Sequence, residues 1–247
     1  MTNRLVPFQG VLNFRDLGGY ESEDGRHSRW GRLFRSDAMH DLTEDDLEVF
    51  RRLGIAAIVD LRSHSEIEHT GRGLLAFEPL TFLHTPVLSN YEINEPRATV
   101  FDEDYLSRRY LQYLDVGAPA FVRIFDEMAN PGNYPMVFNC FMGKDRTGVL
   151  AALVLSCLGV ERSNVVRDYA VTDARVAFII EKLRRDPIER DTLERTNPVL
   201  LGAREATMSN FLTAVDERYG GPVAWALGAG VSAGGIERIR DLLLDEG

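Results

Sequence analysis

A cysteine and an arginine six positions apart are the residues of this sequence best suited to chemistry. Cys140 ends an apolar run, and a polar loop with one glycine leads to Arg146, Thr147 and an apolar helical pattern. The amides of such a loop, together with the amino end of the following helix, would surround an oxyanion. They would also stabilise a thiolate at Cys140, which would attack the central atom of that anion.

Arg146 and Thr147 suit the chemistry of phosphorus. A guanidinium binds two oxygens of a tetrahedral dianion through its planar fork, which leaves the phosphorus in line with the Cys140 sulfur. The Thr147 hydroxyl would donate to the sulfur when a thiophosphate intermediate breaks down. We therefore predict that Cys140 is the nucleophile and that phosphate, or a similar oxyanion, contacts the rest of the loop, namely Phe141, Met142, Gly143, Lys144, Arg146, Thr147 and Gly148.

Lys144 is unusual because this chain prefers arginine. Of its 28 basic residues, 26 are arginine, and only Lys144 and Lys182 are lysine. Lysine carries a compact ammonium ion rather than a planar fork, so we predict a functional role for Lys144 in the loop. We interpret Lys182, on a solvated face of a helical pattern, as an accidental lysine.

The segments around the loop predict an α/β fold. Strand-like runs at 33–36, 55–61, 82–88 and 136–140 have few polar interruptions, as in parallel strands covered on both faces. Helical patterns lie at 104–115, 118–129, 147–158, 161–185, 205–219 and 233–245, and Thr43 and Gly54 would bound one more. We predict a mainly parallel sheet flanked by helices, with an additional C-terminal helical subregion, in a single domain over 1–247. The segments 90–103 and 186–198 are either solvated linkers or lids beside the site.

Composition excludes several classes of protein. With 45% hydrophobic residues the 247-residue chain can bury a core, and a formal net charge of −10 argues against binding to nucleic acid or to an anionic membrane. The longest apolar stretch, about 13 residues near 148–160, is shorter than the roughly 18 to 20 that a membrane span needs. The first ten residues do not resemble a secretory signal, so we expect a cytoplasmic protein without a membrane span.

The loop resembles that of the cysteine-based protein tyrosine phosphatases, specifically the atypical bacterial tyrosine and phosphoinositide phosphatases whose loop reads His-Cys-x-x-Gly-Lys-Asp-Arg-Thr-Gly. Segments 13–20, 31–36 and 59–63, with Glu66 and Tyr219-Gly220, are also similar. The resemblance implies a phosphatase-type fold, no metal or other cofactor, and hydrolysis of phosphorylated proteins or phosphoinositides through a cysteinyl-phosphate intermediate. Asn139 stands where the family has a histidine that helps to stabilise the thiolate form of the cysteine. Its absence implies a less stable Cys140 thiolate and a lower activity.

A phosphatase needs a general acid to protonate the leaving oxygen, and two aspartates compete for this role. The resemblance implies Asp145, because the family places an aspartate beside the loop arginine. Asp145 would otherwise orient Lys144 or Arg146. Asp60 ends an apolar strand at the carboxyl edge of the sheet, where ligand sites of α/β folds form. It would otherwise cap a helix or pair with Arg62.

Other polar residues have structural interpretations. We expect Arg62 and Arg15 to form interior ion pairs with Glu66 and Asp16, or else to contact the substrate. Cys157 lies about 11 residues into the helical pattern that follows the loop, about 15 Å along its axis, which is too far for a disulfide with Cys140. We interpret Cys157 as a core residue.

Three alternative functions use some of the same residues. A pseudophosphatase would bind phosphorylated ligands without hydrolysing them, in keeping with Asn139, although binding alone does not require Cys140. A sulfur-transfer or arsenate-reducing protein would use the same cysteine loop. The Gly-x-Ser-x-Gly pattern at 230–234 resembles a serine hydrolase elbow, but every histidine lies upstream of it, so we interpret it as a turn and helix start.

Overall fold

A computed structural model describes residues 4–88 and 104–246 of the chain. Within these residues one sheet contains five strands, β1 (Arg15–Asp16), β2 (Leu33–Ser36), β3 (Ala57–Asp60), β4 (Thr81–His84) and β5 (Met136–Asn139). Their order is β1-β2-β5-β3-β4. β1 is antiparallel to β2, and the other neighbouring strands are parallel. The predicted mainly parallel sheet is confirmed. The segment 90–103, predicted to be a linker or a lid, lies outside the described residues.

Helices surround this sheet and make up most of the C-terminal half. They are α1 (Glu44–Leu53), α2 (His64–Thr70), α3 (Tyr105–Val116), α4 (Ala118–Met128), α5 (Asp145–Cys157), α6 (Arg162–Ala170), α7 (Asp173–Leu183), α8 (Pro187–Arg195), α9 (Glu205–Tyr219), α10 (Pro222–Ala229) and α11 (Ala233–Leu243). As predicted, Thr43 caps α1 and Gly54 ends it in the left-handed conformation. Ser232 of the Gly-x-Ser-x-Gly pattern caps α11, which confirms the interpretation of that pattern as a helix start.

The strand residues alternate between two buried faces. Phe34, Ile58 and Val137 pack on the α1 side, against Leu47 and Phe50. The residues beside them point to a larger core on the other face, which includes most of α5. This double coverage explains why β2, β3 and β5 are almost continuously apolar in sequence.

The helical pattern over 161–185 forms two helices rather than the single one that its length implies. At the break, the Thr172 amide donates to the Tyr169 carbonyl, three residues back, at 3.1 Å. The Thr172 side chain is buried, and its hydroxyl accepts a hydrogen bond from the Arg15 guanidinium at 3.3 Å. This contact attaches the chain between α6 and α7 to the interior.

The segment 186–198, predicted to be a linker or a lid, contains helix α8. The Asp186 carboxylate accepts hydrogen bonds from the amides of Ile188 and Glu189, and Pro187 occupies the first helical position. An acidic cap followed by proline is a favourable helix start. No residue of α8 is buried, which explains the absence of an apolar period in its sequence.

The parallel strands end in register at one edge of the sheet. Asn139 at the end of β5 is level with Ser36 of β2 and Asp60 of β3, and Asp60 is level with His84 of β4. The loop from Cys140 to Lys144 therefore leaves the sheet at its carboxyl edge, between two parallel neighbours. No helix of the described residues is long and apolar enough to cross a membrane.

Candidate active site

The loop between β5 and α5 makes a tight turn at Gly143. Its φ of +65° is in the left-handed region, and a Cβ at this position would lie 2.5 Å from the Ser36 carbonyl oxygen. Glycine is therefore required both by conformation and by space. Helix α5 begins directly afterwards at Asp145, and the side chain of its N-cap residue, Lys144, makes no capping hydrogen bond. The amino end of α5 is thus left open to another acceptor.

The loop carbonyls are held outward by the surrounding protein. The Phe141 carbonyl accepts from the Ala38 amide at 3.0 Å, and the Asn13 side chain donates to the carbonyls of Met142 and Gly143 at 3.2 Å. Because amide and carbonyl point in opposite directions across a trans peptide, the amides that follow these carbonyls face the concave side of the loop. No described residue accepts a hydrogen bond from the amides of 141–147. This row of donors is suited to an oxyanion.

A cavity of about 220 Å³ opens above the loop. Cys140, Phe141, Met142, Asp145 and Arg146, all predicted from sequence to form the site, line it together. Only 2% of Cys140 is exposed. The walls are mostly apolar and include Leu88, Leu106, Leu183, Leu193, Leu200 and Leu201.

Arg146 is oriented by Glu66 of α2. The two carboxylate oxygens accept from Nη1 and Nη2 at 2.6 and 2.7 Å, and Nη1 also donates to the Leu61 carbonyl at 3.3 Å. Burial alone would raise the pKa of Glu66, but the hydrogen bonds and charge of Arg146 bring it below its usual value. Among the described residues nothing accepts from Arg146 Nε, so Nε and the second Nη2 hydrogen form a free fork for two oxygens. The predicted pairing of Glu66 with Arg62 is wrong.

Asp145 is held by two donors. Lys144 Nζ donates to it at 2.7 Å and the Tyr110 hydroxyl at 2.5 Å. Burial alone would raise the pKa of Asp145, but the charge and hydrogen bond of Lys144 and the bond from Tyr110 lower it overall. The carboxylate form of Asp145 is therefore favoured in the free protein. Its role as general acid stays a prediction.

The structure corrects the predicted contacts of both lysines. Lys144 is not among the residues that line the cavity, and its Nζ donates to the Leu200 carbonyl at 2.9 Å, beyond α8, with only 1% of the side chain exposed. Its ammonium therefore supports the loop rather than lining the cavity. Lys182 Nζ donates to the Gly10 carbonyl at 2.7 Å and pairs with Asp41 at 3.0 Å, so its interpretation as an accidental residue on a solvated face is wrong.

Asp60 is not among the residues that line the cavity beside Cys140. Its carboxylate is buried and accepts from Arg62 Nε and Nη2 at 3.0 and 2.6 Å. Arg62 also donates to the Gly71 carbonyl at 3.0 Å. The structure thus shows the alternative interpretation of Asp60, an ion-pair partner of Arg62. An engaged carboxylate outside the cavity is poorly placed to protonate a leaving group.

Thr147 and Gly148 of the predicted site, and Asn139 before it, are not among the residues that line the cavity. Thr147 Oγ1 is buried and makes no hydrogen bond with any described residue, so its predicted bond to the Cys140 sulfur is not formed in this state. Gly148 packs against Tyr169, whose ring would be 2.8 Å from a Cβ. The Asn139 side-chain amide donates to the Cys140 carbonyl at 3.5 Å, while its Oδ1 is buried without a partner among the described residues.

A buried cluster supports the loop from below and was missed in the sequence. Asp168 of α6 accepts from Arg15 Nε at 2.9 Å and from Arg35 Nη1 at 2.5 Å, and Arg35 Nη2 donates to the Gly143 carbonyl at 2.8 Å. Burial alone would raise the pKa of Asp168, but the two guanidinium ions lower it to about 2. The predicted partner of Arg15, Asp16, instead accepts from backbone amides. Sequence similarity around 13–20 and 31–36 was the only hint of this cluster.

Comparisons with known proteins found one family model and several similar chains. A family model described as the tyrosine phosphatase family matches residues 6–245. The triple specificity protein phosphatase PtpB of Mycobacterium tuberculosis is 29% identical over 283 residues, which cover 99% of this chain and 100% of PtpB. A tyrosine-protein phosphatase of Nostoc commune is 25% identical over 208 residues, covering 81% of this chain and 69% of that protein. The solved catalytic core of the PP-IP phosphatase SIW14 from S. cerevisiae, in complex with citrate, has 14% identity and a TM-score of 0.40, covering 78% of this chain and 88% of that one.

Proposed function

We propose that this chain, which belongs to the tyrosine phosphatase family and is therefore a phosphoric monoester hydrolase, acts on phosphotyrosine through a cysteinyl-phosphate intermediate. One observation carries the proposal. Cys140 and Arg146 line one cavity with Phe141, Met142 and Asp145, and neither the Arg146 fork nor the amides of 141–147 have an acceptor among the described residues. A nucleophile beside two kinds of hydrogen-bond donor, a guanidinium and backbone amides, suits a tetrahedral phosphate.

The reaction follows from this arrangement in two steps. In the first, the Cys140 thiolate forms a bond to phosphorus while the ester P–O bond breaks, and the leaving oxygen takes a proton. In the second, water attacks phosphorus, the S–P bond breaks, and inorganic phosphate and the thiolate are released. The amides and the Arg146 fork bind the non-bridging oxygens throughout. Their orientation by Glu66, Asn13 and Arg35 means that little reorganisation is needed as charge develops.

The walls of the cavity favour an aryl phosphate. Leucines surround the opening above the loop and would contact the ring of a phosphotyrosine. Arg109 also lines the cavity, and among the described residues its guanidinium donates only to the hydroxyls of Tyr105 and Tyr113. In the described part of the chain Arg109 forms no salt bridge, and Asp145 acts on it only through its charge. A cation of this kind in the cavity wall would attract further phosphate groups, so a phosphoinositide is the second candidate substrate. The name of PtpB, triple specificity protein phosphatase, supports phosphoserine and phosphothreonine as additional substrates.

The alternative of a binding protein without turnover receives no support from the comparisons, because the named relatives are phosphatases. Asn139 remains the departure on which that alternative rests. Three other expectations stay predictions, namely a cytoplasmic location, a single domain over 1–247, and the role of 90–103 and 186–198 as solvated linkers or as lids. Cell fractionation, limited proteolysis and deletion of 186–198 would test them in turn.

The proposed function is tested by replacing the nucleophile. Cys140→Ser should lower kcat/KM for a phosphotyrosyl peptide by on the order of 10⁴-fold or more, because the attacking group is lost. Cys157→Ser is the matched control, since Cys157 is buried near the far end of α5, where burial raises the pKa of its thiol to about 12. Wild type and both variants would be assayed on phosphotyrosyl, phosphoseryl and phosphothreonyl peptides and on phosphoinositides. Phosphate binding by the wild type without hydrolysis of any of these substrates would contradict the proposal and favour the binding protein.

A further inference from the structure

Among the described residues, three carboxyl groups line the cavity beside Cys140, those of Glu66, Asp145 and Glu189. A general acid has to be protonated before the reaction and free to donate to the leaving oxygen. Two of the three are engaged, Glu66 by the Arg146 guanidinium and Asp145 by Lys144 and Tyr110. These partners lower the pKa of both groups and favour their ionised forms.

Glu189 differs from the other two. It lies in the first turn of α8, 16% of its side chain is exposed, and its carboxylate makes no hydrogen bond with any described residue. Its Oε1 lies 3.9 Å from His69 Nε2. Burial raises the pKa of Glu189, His69 lowers it, and the negative charges of Asp186 and Glu66 raise it further, so that the pKa is higher than usual.

The charged groups around Glu189 come from several elements. α2 contributes Glu66 and His69, and the cap of α8 contributes Asp186. Glu189 shares the lining of the cavity with Asp145, Arg146 and Arg109, and it also lines a neighbouring groove with His40, Asp41, Glu181, Lys182 and Arg185. A dianionic phosphate above Cys140 would add negative charge on the cavity side and stabilise the protonated form of Glu189.

We propose that Glu189 is the general acid that protonates the leaving oxygen. The assignment rests on the proposed phosphatase function. As the bond from Cys140 sulfur to phosphorus forms and the ester P–O bond breaks, the Glu189 proton moves to the departing oxygen, which leaves as a neutral phenol. The resulting carboxylate then accepts a proton from the water that attacks the cysteinyl phosphate, which regenerates the acid.

With Glu189 as the general acid, Asp145 has a different role. With Lys144 and Tyr110 bonded to it, Asp145 acts as a positioning residue that fixes the start of α5 and the lysine of the loop. The assignment of Glu189 also gives α8 a reason to lie over the cavity. The helix brings a carboxyl group to the cavity that Cys140 also lines.

The test is a series of aryl phosphates that differ in the basicity of the leaving phenolate. In Glu189→Gln, kcat/KM for phenyl phosphate and for a phosphotyrosyl peptide should fall by about 10²-fold or more, within the usual range for loss of a general acid. The loss for nitrophenyl phosphate should be much smaller, because its leaving group needs little protonation. The alkaline limb of the pH profile of kcat/KM, which reports deprotonation of the acid, should disappear.

Controls separate this assignment from its alternatives. Glu194→Gln changes an exposed carboxylate of the same helix and should match the wild type. Inhibition by inorganic phosphate should be unchanged in Glu189→Gln, which shows an intact loop. Equal losses for all leaving groups, or the selective loss in Asp145→Asn instead, would overturn the assignment. A wild type without activity on any aryl phosphate would overturn the proposed function as well.

Discussion

Replacing Asp168 by asparagine would measure how strongly the buried cluster beneath the loop stabilises the fold. Asp168 is 1% exposed and is the shared partner of Arg15 and Arg35. Asparagine keeps the shape of the side chain but not its charge, so two buried guanidinium ions lose their counterion. Breaking a buried pair from one side usually costs 3–5 kcal/mol, and we expect the free energy of unfolding to fall by about that amount.

The pH dependence of stability gives a second value for how strongly the Asp168 carboxylate stabilises the fold. The pKa of Asp168 is about 2 in the folded protein against a reference of 3.8, a difference worth about 2 kcal/mol. Because the folded pKa is the lower one, this stabilisation is present above pH 3.8 and is lost as the pH falls towards 2. The asparagine variant has no such proton to gain. The difference in stability between the two proteins should therefore shrink by about 2 kcal/mol over this interval.

Urea unfolding, followed by tryptophan fluorescence at pH 7 and at steps down to pH 2, would provide both values. Asp216→Asn is a suitable control, because Asp216 pairs with Arg162 at the surface with both side chains more than 40% exposed. Removal of that pair should cost less than about 1 kcal/mol. A loss below 1 kcal/mol for Asp168→Asn at pH 7, or a difference that does not change with pH, would refute the role assigned to the carboxylate.

Two further substitutions test the loop itself. Glu66→Gln should lower kcat/KM for nitrophenyl phosphate by about 10²-fold, because Arg146 loses the carboxylate that orients it. Glu68 is an exposed residue of the same helix, so Glu68→Gln is the control. Equal values of kcat/KM in the two variants would contradict this role of Glu66. Gly143→Ala should reduce the free energy of unfolding by about 1–3 kcal/mol and weaken inhibition by inorganic phosphate, since φ is positive and the new Cβ would meet the Ser36 carbonyl. Gly25→Ala also has a positive φ but no atom within 4 Å, so a similar loss in both variants would speak against the steric contact.

The local part of the site could be predicted from the sequence, and the long-range part could not. Cys140 and Arg146 belong to one loop between a strand and a helix, so their spacing alone indicates that they face the same anion. The partner of Arg146 lies 80 residues away on α2. Sequence proximity instead favoured Arg62 for Glu66, whereas Arg62 pairs with Asp60, the partner that the sequence offered only as an alternative.

The same distinction holds for the fold. Buried parallel strands have continuous apolar runs, so β3 and β5 were identified within two residues at each end. Helix α8 has no buried residue and therefore no apolar period, although the Asp186-Pro187 pair marks its start. Helix α2 is only seven residues long, and the capping box of Ser63 and Glu66 is its main local indication. Short or fully exposed helices depend on caps, which a search for apolar periodicity does not detect.

The contacts of the two lysines have a consequence for how related sequences are compared. Each ammonium joins a carboxylate to a main-chain oxygen from a remote part of the chain, 56 residues away for Lys144 and 172 for Lys182. A flat guanidinium is too wide to take the place of a tetrahedral ion in such a junction. In homologues that also favour arginine, a retained lysine would indicate a position where an ammonium joins two remote parts of the chain. An exchange of lysine for arginine at such an aligned position should therefore not be scored as conservative.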